Sequence, residues 1–177
     1  MTSVLLVDTI KNSLDSADTV AFAGGIHAPG SVIQVVHKIY NGGAGTTSSS
    51  YAAFGRSITI TPKFASSKII VTWSAVSYQN GGNGYLTVYR TLSGGSATNM
   101  YNNGDYDTNS TQQSLRQVGN SSSGLYFPGH LTFTDTTHNS TSQITYDVYG
   151  KVAGGSSIYF PPGSTDASDV VAMEIAQ

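Results

Sequence analysis

Few residues in this chain have the types and spacing to do chemistry, and the first group is a glycine-rich stretch, YNGGAGTTSSSY, at residues 40–51. A phosphate cradle aims backbone N–H groups at one point, and its strong form ends in Gly-Lys-Ser/Thr. Here Thr46 follows Gly45, without a lysine, and residues 51–61 have the composition of a strand rather than a helix. The stretch is therefore interpreted as a flexible connection between β-strands. Serine in place of residues 42–45 is expected to leave stability nearly unchanged.

Histidines are the next candidates, as metal ligands. The spacing of the four histidines does not match a metal-binding motif; they are His27, His37, His130 and His138. His130, Asp135 and His138 lie close together in the sequence, but His130 flanks a predicted strand and His138 lies in a predicted turn. A solvated loop is favoured over a metal site there. No metal and no cofactor are predicted.

Hydrolytic chemistry has equally weak support. A glycosidase needs two carboxylates about 5–10 Å apart in a groove. Glu174 is the single glutamate, and Asp105 and Asp107 share one polar loop, where a solvated or turn role is favoured. A serine hydrolase of the Gly-x-Ser-x-Gly type is not indicated, because that pattern does not occur. No catalytic residue is predicted.

The composition indicates which elements must position these side chains. Charged residues are 10% of the 177, against an average near ~25%, and there are no cysteines. Serine, threonine, glycine, asparagine and tyrosine take the place of the charges. A β-protein can cover its solvent face with such residues, whereas helices usually carry glutamate and lysine there. The composition therefore predicts an all-β protein without disulfides or thiol chemistry.

Charge and hydropathy exclude two classes of partner. The formal net charge is -2 and the eight Lys and Arg residues are scattered, so a nucleic-acid footprint is not indicated. Membrane insertion is not predicted, since no apolar run reaches the ~18 residues of a membrane helix. The apolar run Val4–Val7 lacks a preceding basic residue, and Asp8 ends it. We therefore expect no secretory signal.

Alternating apolar and polar residues predict about eight short strands separated by Gly, Pro and Asn turns. In the strongest of them, Ile69, Val71 and Trp73 share one face, and Trp73 is expected to lie in the core. The spacing predicts a jelly-roll-like antiparallel β-sandwich. The predicted strands cover residues 31–40, 57–61, 68–78, 85–92, 125–134, 143–151, 158–160 and 169–176, with one more possible at 113–118.

Two regions fall outside this pattern. Residues 1–27 form a short N-terminal arm, either helical or extended, and its apolar residues are the candidate anchoring set: Val4, Leu5, Val7 and Ile10. Residues 93–124 form a long polar excursion from the β-sandwich domain, which covers 28–177. Long loops on a rigid β-scaffold commonly carry binding sites. The candidate recognition loop within the excursion comprises Tyr101, Asn102, Asp105 and Tyr106, where rings beside amides and carboxylates could contact sugars; a solvated loop is the alternative.

Five stretches of the sequence resemble, in this order, segments of a known protein family: APGSVIQVV, TTSSSY, SITITPKFASSKIIV, TSQITYDVYG and the ending VVAMEIAQ. Together they resemble the small C-terminal β-domain of tailed-bacteriophage virion proteins, which is tail-fibre-tip-like or decoration-like. The resemblance covers residues 28–177 apart from 93–124. LLVDTIKNS also resembles the lead-in segment of phage fibre proteins, but the long shaft that commonly follows it is replaced here by LDSADTVAFAGGIH.

The resemblance implies a non-enzymatic virion structural protein, made in the host cytoplasm and displayed outward as a homotrimer. Its expected partners are two further copies of itself, other virion proteins of the tail or capsid, and a host-surface glycan or protein. A tail-fibre or receptor-binding appendage is the first reading. The alternative is a capsid decoration (cement) protein that stabilises the phage head, and a polysaccharide depolymerase ranks below both.

Overall fold

The computed structural model describes residues 28–101, 124–154 and 157–177, together with the backbone of 116–118. Within these residues the chain forms strands and turns and no helix. The described residues therefore contain no helix that could cross a membrane. The strands are β1 (Val32–Asn41), β2 (Gly45–Thr46), β3 (Ala52–Ala53), β4 (Ile58–Ile60), β5 (Lys68–Asn80), β6 (Asn83–Leu92), β7 (Thr98–Asn99), β8 (Arg116–Val118), β9 (Leu125–Asp135), β10 (Ile144–Ala153), β11 (Ser157–Tyr159) and β12 (Ala167–Ile175).

Two antiparallel sheets contain these strands. In the first, β12 lies between β1 and β5, β9 pairs with the other edge of β5, and β11 and β2 extend the sheet at the far end of β5. In the second, β10 lies between β6 and the short strands β3 and β4, while β7 and β8 pair with β6. The sheets pack face to face as a sandwich, which confirms the predicted all-β, jelly-roll-like class.

The core between the sheets comes from the alternation that the sequence shows. Ile69, Val71 and Trp73 of β5 are each 0% exposed, and the indole Nε1 of Trp73 donates to the carbonyl of Arg56 at 2.7 Å. Val148 of β10 and Val88 of β6 meet them from the second sheet. Burial of Trp73, with its N–H satisfied, confirms its predicted core role and excludes it as an exposed ligand platform.

The glycine-rich stretch at 40–51 is more ordered than a flexible connection, and that interpretation is corrected here. Gly45 lies in β2 and pairs with Tyr159 of β11, and the amide of Ala44 donates to the carbonyl of Pro161. A Cβ on Gly43 would lie 2.8 Å from the carbonyl oxygen of Pro162. These glycines allow two backbones to approach closely, so serine at Gly43 or Gly45 is no longer expected to be neutral.

Other boundaries shift by one to three residues from the predicted ones. β5, β6 and β10 extend because backbone pairing continues beyond the apolar residues, whereas β4 and β8 are shorter than predicted. Residues 51–61 were predicted as strand, but they form two short strands interrupted at Phe54–Ser57. Phe54 turns inward there and its ring lies under Gly150 of β10. The N-terminal arm at 1–27 lies outside the described residues, as do most of the residues of the excursion.

Candidate interaction surfaces

The excursion at 93–124 begins and returns along β6. Asn99 of β7 is opposite Tyr89, and Gln117 of β8 is opposite Tyr85, so both described pieces of the excursion lie beside the same strand. Among the candidate recognition residues, Tyr101 is half-buried, with its ring 5.7 Å from that of Phe133 in an edge contact. Asn102, Asp105 and Tyr106 lie outside the described residues.

Four tyrosines lie together on the solvent side of the second sheet, beside this excursion. We call them the tyrosine face: Tyr51, Tyr85, Tyr89 and Tyr149. The rings of Tyr89 and Tyr149 stack with centroids 3.9 Å apart, and the ring of Tyr51 meets that of Tyr89 edge-on at 6.2 Å. Cross-strand aromatic contacts of this kind stabilise a sheet. Tyr51, Tyr89 and Tyr149 remain partly exposed, whereas Tyr85 is buried.

Charged groups of both signs adjoin the tyrosine face. The Lys151 ammonium lies 4.7 Å from the ring centroid of Tyr51 and 5.4 Å from that of Tyr85. Asp147 projects from the same side of β10, opposite Tyr89 in register. Burial raises the pKa of Asp147 to about 6, although backbone N–H groups and Arg56 act in the opposite direction. The rings and the Lys151 ammonium are the groups of this face that a polar ligand could contact, because Asp147 is largely buried.

The carboxylate of Asp135 is used for structure. Its two oxygens accept from the Arg90 guanidinium at 2.8 and 2.9 Å, and one also accepts from the Tyr146 hydroxyl at 2.7 Å. Burial raises the pKa of Asp135, but these hydrogen bonds, the Thr137 amide and the charge of Arg90 outweigh burial and lower it overall. The ion pair connects β6 with the end of β9, and the side chain of Asp135 is fully buried.

Glu174 is likewise fully buried and holds a loop in place. Its carboxylate accepts from the backbone amides of Lys63 and Phe64 and from the hydroxyl of Ser67 at 2.7 Å, and Gln34 adds a fourth donor. Burial raises the pKa of Glu174, and the four donors together lower it below its usual range. A carboxylate with this set of donors is satisfied and has no lone pair directed at solvent.

The structure separates the histidines and carboxylates that are neighbours in sequence. His130 lies on the solvent side of β9 beside Ser74 and Thr132, whereas Asp135 and His138 are buried. His138 is held between carbonyl groups of Ser67 and Ser140 at 2.8 and 3.0 Å. In the described part of the chain no three His, Asp or Glu side chains gather as a possible metal site.

The tyrosine face was not identified from the sequence. The alternation in residues 85–89 does place Tyr85 and Tyr89 on one side of a strand. Their association with Tyr51 and Tyr149 depends on the pairing of β6 with β10 and of β10 with β3, which the sequence does not give. The sequence does contain one indication of such a surface, which is its 11 tyrosines in a chain with few charged residues.

No protein-family model matches the chain, and a search of curated proteins found no match. Solved structures give weak similarities. A structure of infectious bursal disease virus, Gt strain, aligns with 96% of this chain and 47% of its own at 11% identity and TM-score 0.43. A mutant VP2 protein of the same virus, in derived T=1 particles, aligns with 94% and 41% at 11% identity and TM-score 0.41. Dimeric latent PorU from Porphyromonas gingivalis aligns with 88% and 14% at 10% identity and TM-score 0.29.

The chain therefore has a weak structural similarity to a viral capsid protein, and it spans less than half the length of each of these structures. Its assignment as a jelly-roll-like sandwich depends on its own sheets, described above.

Proposed function

We propose that this protein is a non-enzymatic bacteriophage virion structural protein, displayed on the particle surface as a homotrimeric appendage of the tail-fibre or receptor-binding type. The observation that most supports a receptor-binding role is that the tyrosine face lies beside the long excursion on one side of the second sheet. The phage resemblance of the sequence gives the biological setting. Tyrosine-rich, weakly charged surfaces are typical of large protein contacts and of sugar recognition.

The absence of a catalytic role is supported by what the described carboxylates do. Asp135 and Glu174 are buried and saturated by donors from the protein itself. Asp166 accepts from the amide of Gly163 in a turn, and Asp169 pairs with His37. Asp147, the remaining described carboxyl, is largely buried. A depolymerase would need two carboxylates in an open groove, so the described residues favour recognition over hydrolysis.

The recognition role is tested with host adsorption. Tyr89→Ala combined with Tyr149→Ala should reduce adsorption of particles that carry the variant, because the stacked pair forms the centre of the tyrosine face. Tyr126→Ala is the matched control, since Tyr126 is 67% exposed but lies on the first sheet. Thermal unfolding of each purified variant excludes loss of fold. If the folded double variant adsorbs normally, the tyrosine face is not the recognition surface.

The candidate recognition loop is tested in the same assay. Tyr101→Ala combined with Tyr106→Ala should reduce adsorption if the excursion contributes to the surface. Since Tyr101 packs against Phe133, its substitution also removes a contact at the margin of the core, and stability must be measured beside adsorption. An unchanged adsorption rate would restrict recognition to the sheet.

Capsid decoration is the second candidate, and the exposed outer side of the first sheet, along β1 and β9, favours it. A cement protein needs an extended surface that lies on a neighbouring capsid subunit, and this sheet provides one. The number of copies per particle distinguishes the two roles. A few trimers at one vertex would support the appendage, whereas hundreds of copies would support decoration of the head.

A further inference from the structure

One end of the first sheet exposes an apolar surface that no described residue covers. It consists of outward-facing side chains from three neighbouring strands, here called the apolar face: Val32 and Val35 of β1, Met173 and Ile175 of β12, and Ile70 of β5. Val35 lies opposite Met173, and Met173 lies opposite Ile70, so these three form a continuous row across the sheet. Val32 and Val35 are 53% and 56% exposed. Contiguous apolar surface of this kind usually marks a contact site.

The composition of the sheet changes along the strands. One row beyond Val35, the outward side chains are His37, Val171 and Thr72, and the row after that contains Ile39, Asp169 and Ser74. Only the row of Val35, Met173 and Ile70 is apolar in all three strands. Val32 and Ile175 lie in the preceding row beside Lys68, and Ile39, 58% exposed, lies two rows beyond Val35. A partner of the apolar face must be largely apolar where it contacts the row of Val35, Met173 and Ile70.

The N-terminal segment enters the domain at the same end. The amide of Gly30 donates to the carbonyl of Ala176, and the amide of Ala176 donates to that of Ser31, at 2.8 and 2.9 Å. These bonds fix the chain at residue 30 beside Val32 and Ile175. The preceding residues 4–10, VLLVDTI, contain five large aliphatic side chains. We infer that residues 4–10 dock on the apolar face of their own domain.

Length and local concentration both allow this docking. Residues 11–27 can span about 55–60 Å when extended, and a strand of ten residues is about 33 Å long, so every part of the face is within reach. A segment tethered this closely has an effective concentration in the millimolar range, which favours its own domain over a second copy in dilute solution. β1 is also paired with β12 and with no other strand among the described residues, so its outer edge is open beside the face.

Cysteine cross-linking tests the docking directly, because the chain has no native cysteine. Leu5→Cys with Val35→Cys should form a disulfide within one chain under mild oxidation, seen as faster migration on a non-reducing gel at unchanged mass. Leu5→Cys with Ser93→Cys is the control, since Ser93 is exposed in the turn after β6 of the other sheet. Equal cross-linking of both pairs, or none of the Val35 pair, would overturn the inference. Covalent dimers would overturn it in favour of a second copy.

A second measurement needs no disulfide. Removing residues 1–27 should uncover the apolar face and raise the fluorescence of a hydrophobic dye such as ANS several-fold. Val35→Thr with Met173→Thr in the truncated chain should reverse most of that increase. Dye binding that is the same with and without residues 1–27, in a chain whose thermal unfolding remains cooperative, would overturn the inference.

Discussion

Asp147 ionises in unfavourable surroundings, since burial raises its pKa to about 6 and its Oδ1 is buried without a hydrogen-bond partner. The folded state therefore holds the proton more tightly than the unfolded state. The protonated Asp147 carboxyl contributes its full stability to the folded state below the unfolded pKa near 4. This contribution is lost as the pH rises through the folded pKa of about 6. A shift of two pKa units corresponds to about 3 kcal/mol as an upper value.

Asp147→Asn should remove this dependence. The free energy of unfolding of the parent should fall between pH 4.5 and 7, relative to that of the variant, by up to about 3 kcal/mol. Urea unfolding of both proteins at several pH values measures the difference. Parallel curves over that range would show that Asp147 has an ordinary pKa in the folded protein.

Asp135 has the opposite behaviour, because its net pKa is lowered and its charge is needed in the folded state. Asp135→Asn leaves the Arg90 guanidinium without its anion, and breaking a buried pair in this way costs about 3–5 kcal/mol at pH 7. The cost should decline as pH falls below 4, because Asp135 is then protonated in the unfolded parent before it is protonated in the folded parent, and the stability gained from its charge is lost. Urea unfolding at pH 7 and at pH 3 measures it.

Asp169→Asn is the matched control for Asp135, since Asp169 pairs with His37 at the surface, with both side chains about half exposed. Its effect should stay below about 1 kcal/mol. Equal losses in the two variants would mean that the Asp135 pair contributes no more than a surface pair.

At the level of the elements, Gly45 in β2 is a position where a side chain cannot be added without displacing a neighbour. A Cβ there would lie 2.7 Å from the carbonyl of Ile158 and would overlap the ring of Tyr159. Gly45→Ser should destabilise the protein by about 1–3 kcal/mol, the usual cost of overpacking. Ala53→Ser, in the exposed part of the equally short β3, should be nearly neutral. Thermal unfolding of both variants tests this prediction. If the unfolding temperature of Gly45→Ser equals that of the parent, residues 40–51 are a flexible connection after all.

The long strands could be predicted from the sequence, and the short ones could not. β5 combines β-branched residues with apolar residues at every second position, Ile69, Val71 and Trp73, a local signal that needs no partner. β2, β3 and β7 have two residues each, and they are strands because β11, β10 and β6 lie beside them. The same limit applies to the candidate site. Tyr85 and Tyr89 are related by local spacing, whereas Tyr149 joins them through a pairing about 60 residues away in the chain.

For the whole molecule, the sequence-based expectation is a homotrimer whose β-domain carries most of the contact, with residues 1–27 as the attachment to the particle. Attachment to the particle and docking on the apolar face are alternatives for residues 4–10, and the two sets of experiments distinguish them. Removal of residues 1–27 should leave a folded trimer that no longer incorporates into virions. Light scattering gives the oligomeric state and a virion-incorporation assay gives the attachment. If the truncated protein is monomeric, the trimer contact lies in residues 1–27 rather than in the β-domain. If the truncated protein still incorporates normally into virions, residues 1–27 are not its attachment to the particle.

The pairing of β1 with β12 also determines how the domain responds to mechanical load. The two strands are antiparallel, and the start of β1 is bonded to the end of β12 at Gly30, Ser31 and Ala176. Tension applied between residues 28 and 177 would therefore peel the two strands apart one hydrogen bond at a time, rather than shear all of them together. We expect low unfolding forces when the domain is pulled by these two points in a force spectrometer. A load that enters through the tyrosine face and leaves through residue 28 would cross both sheets instead, and the domain should resist it better.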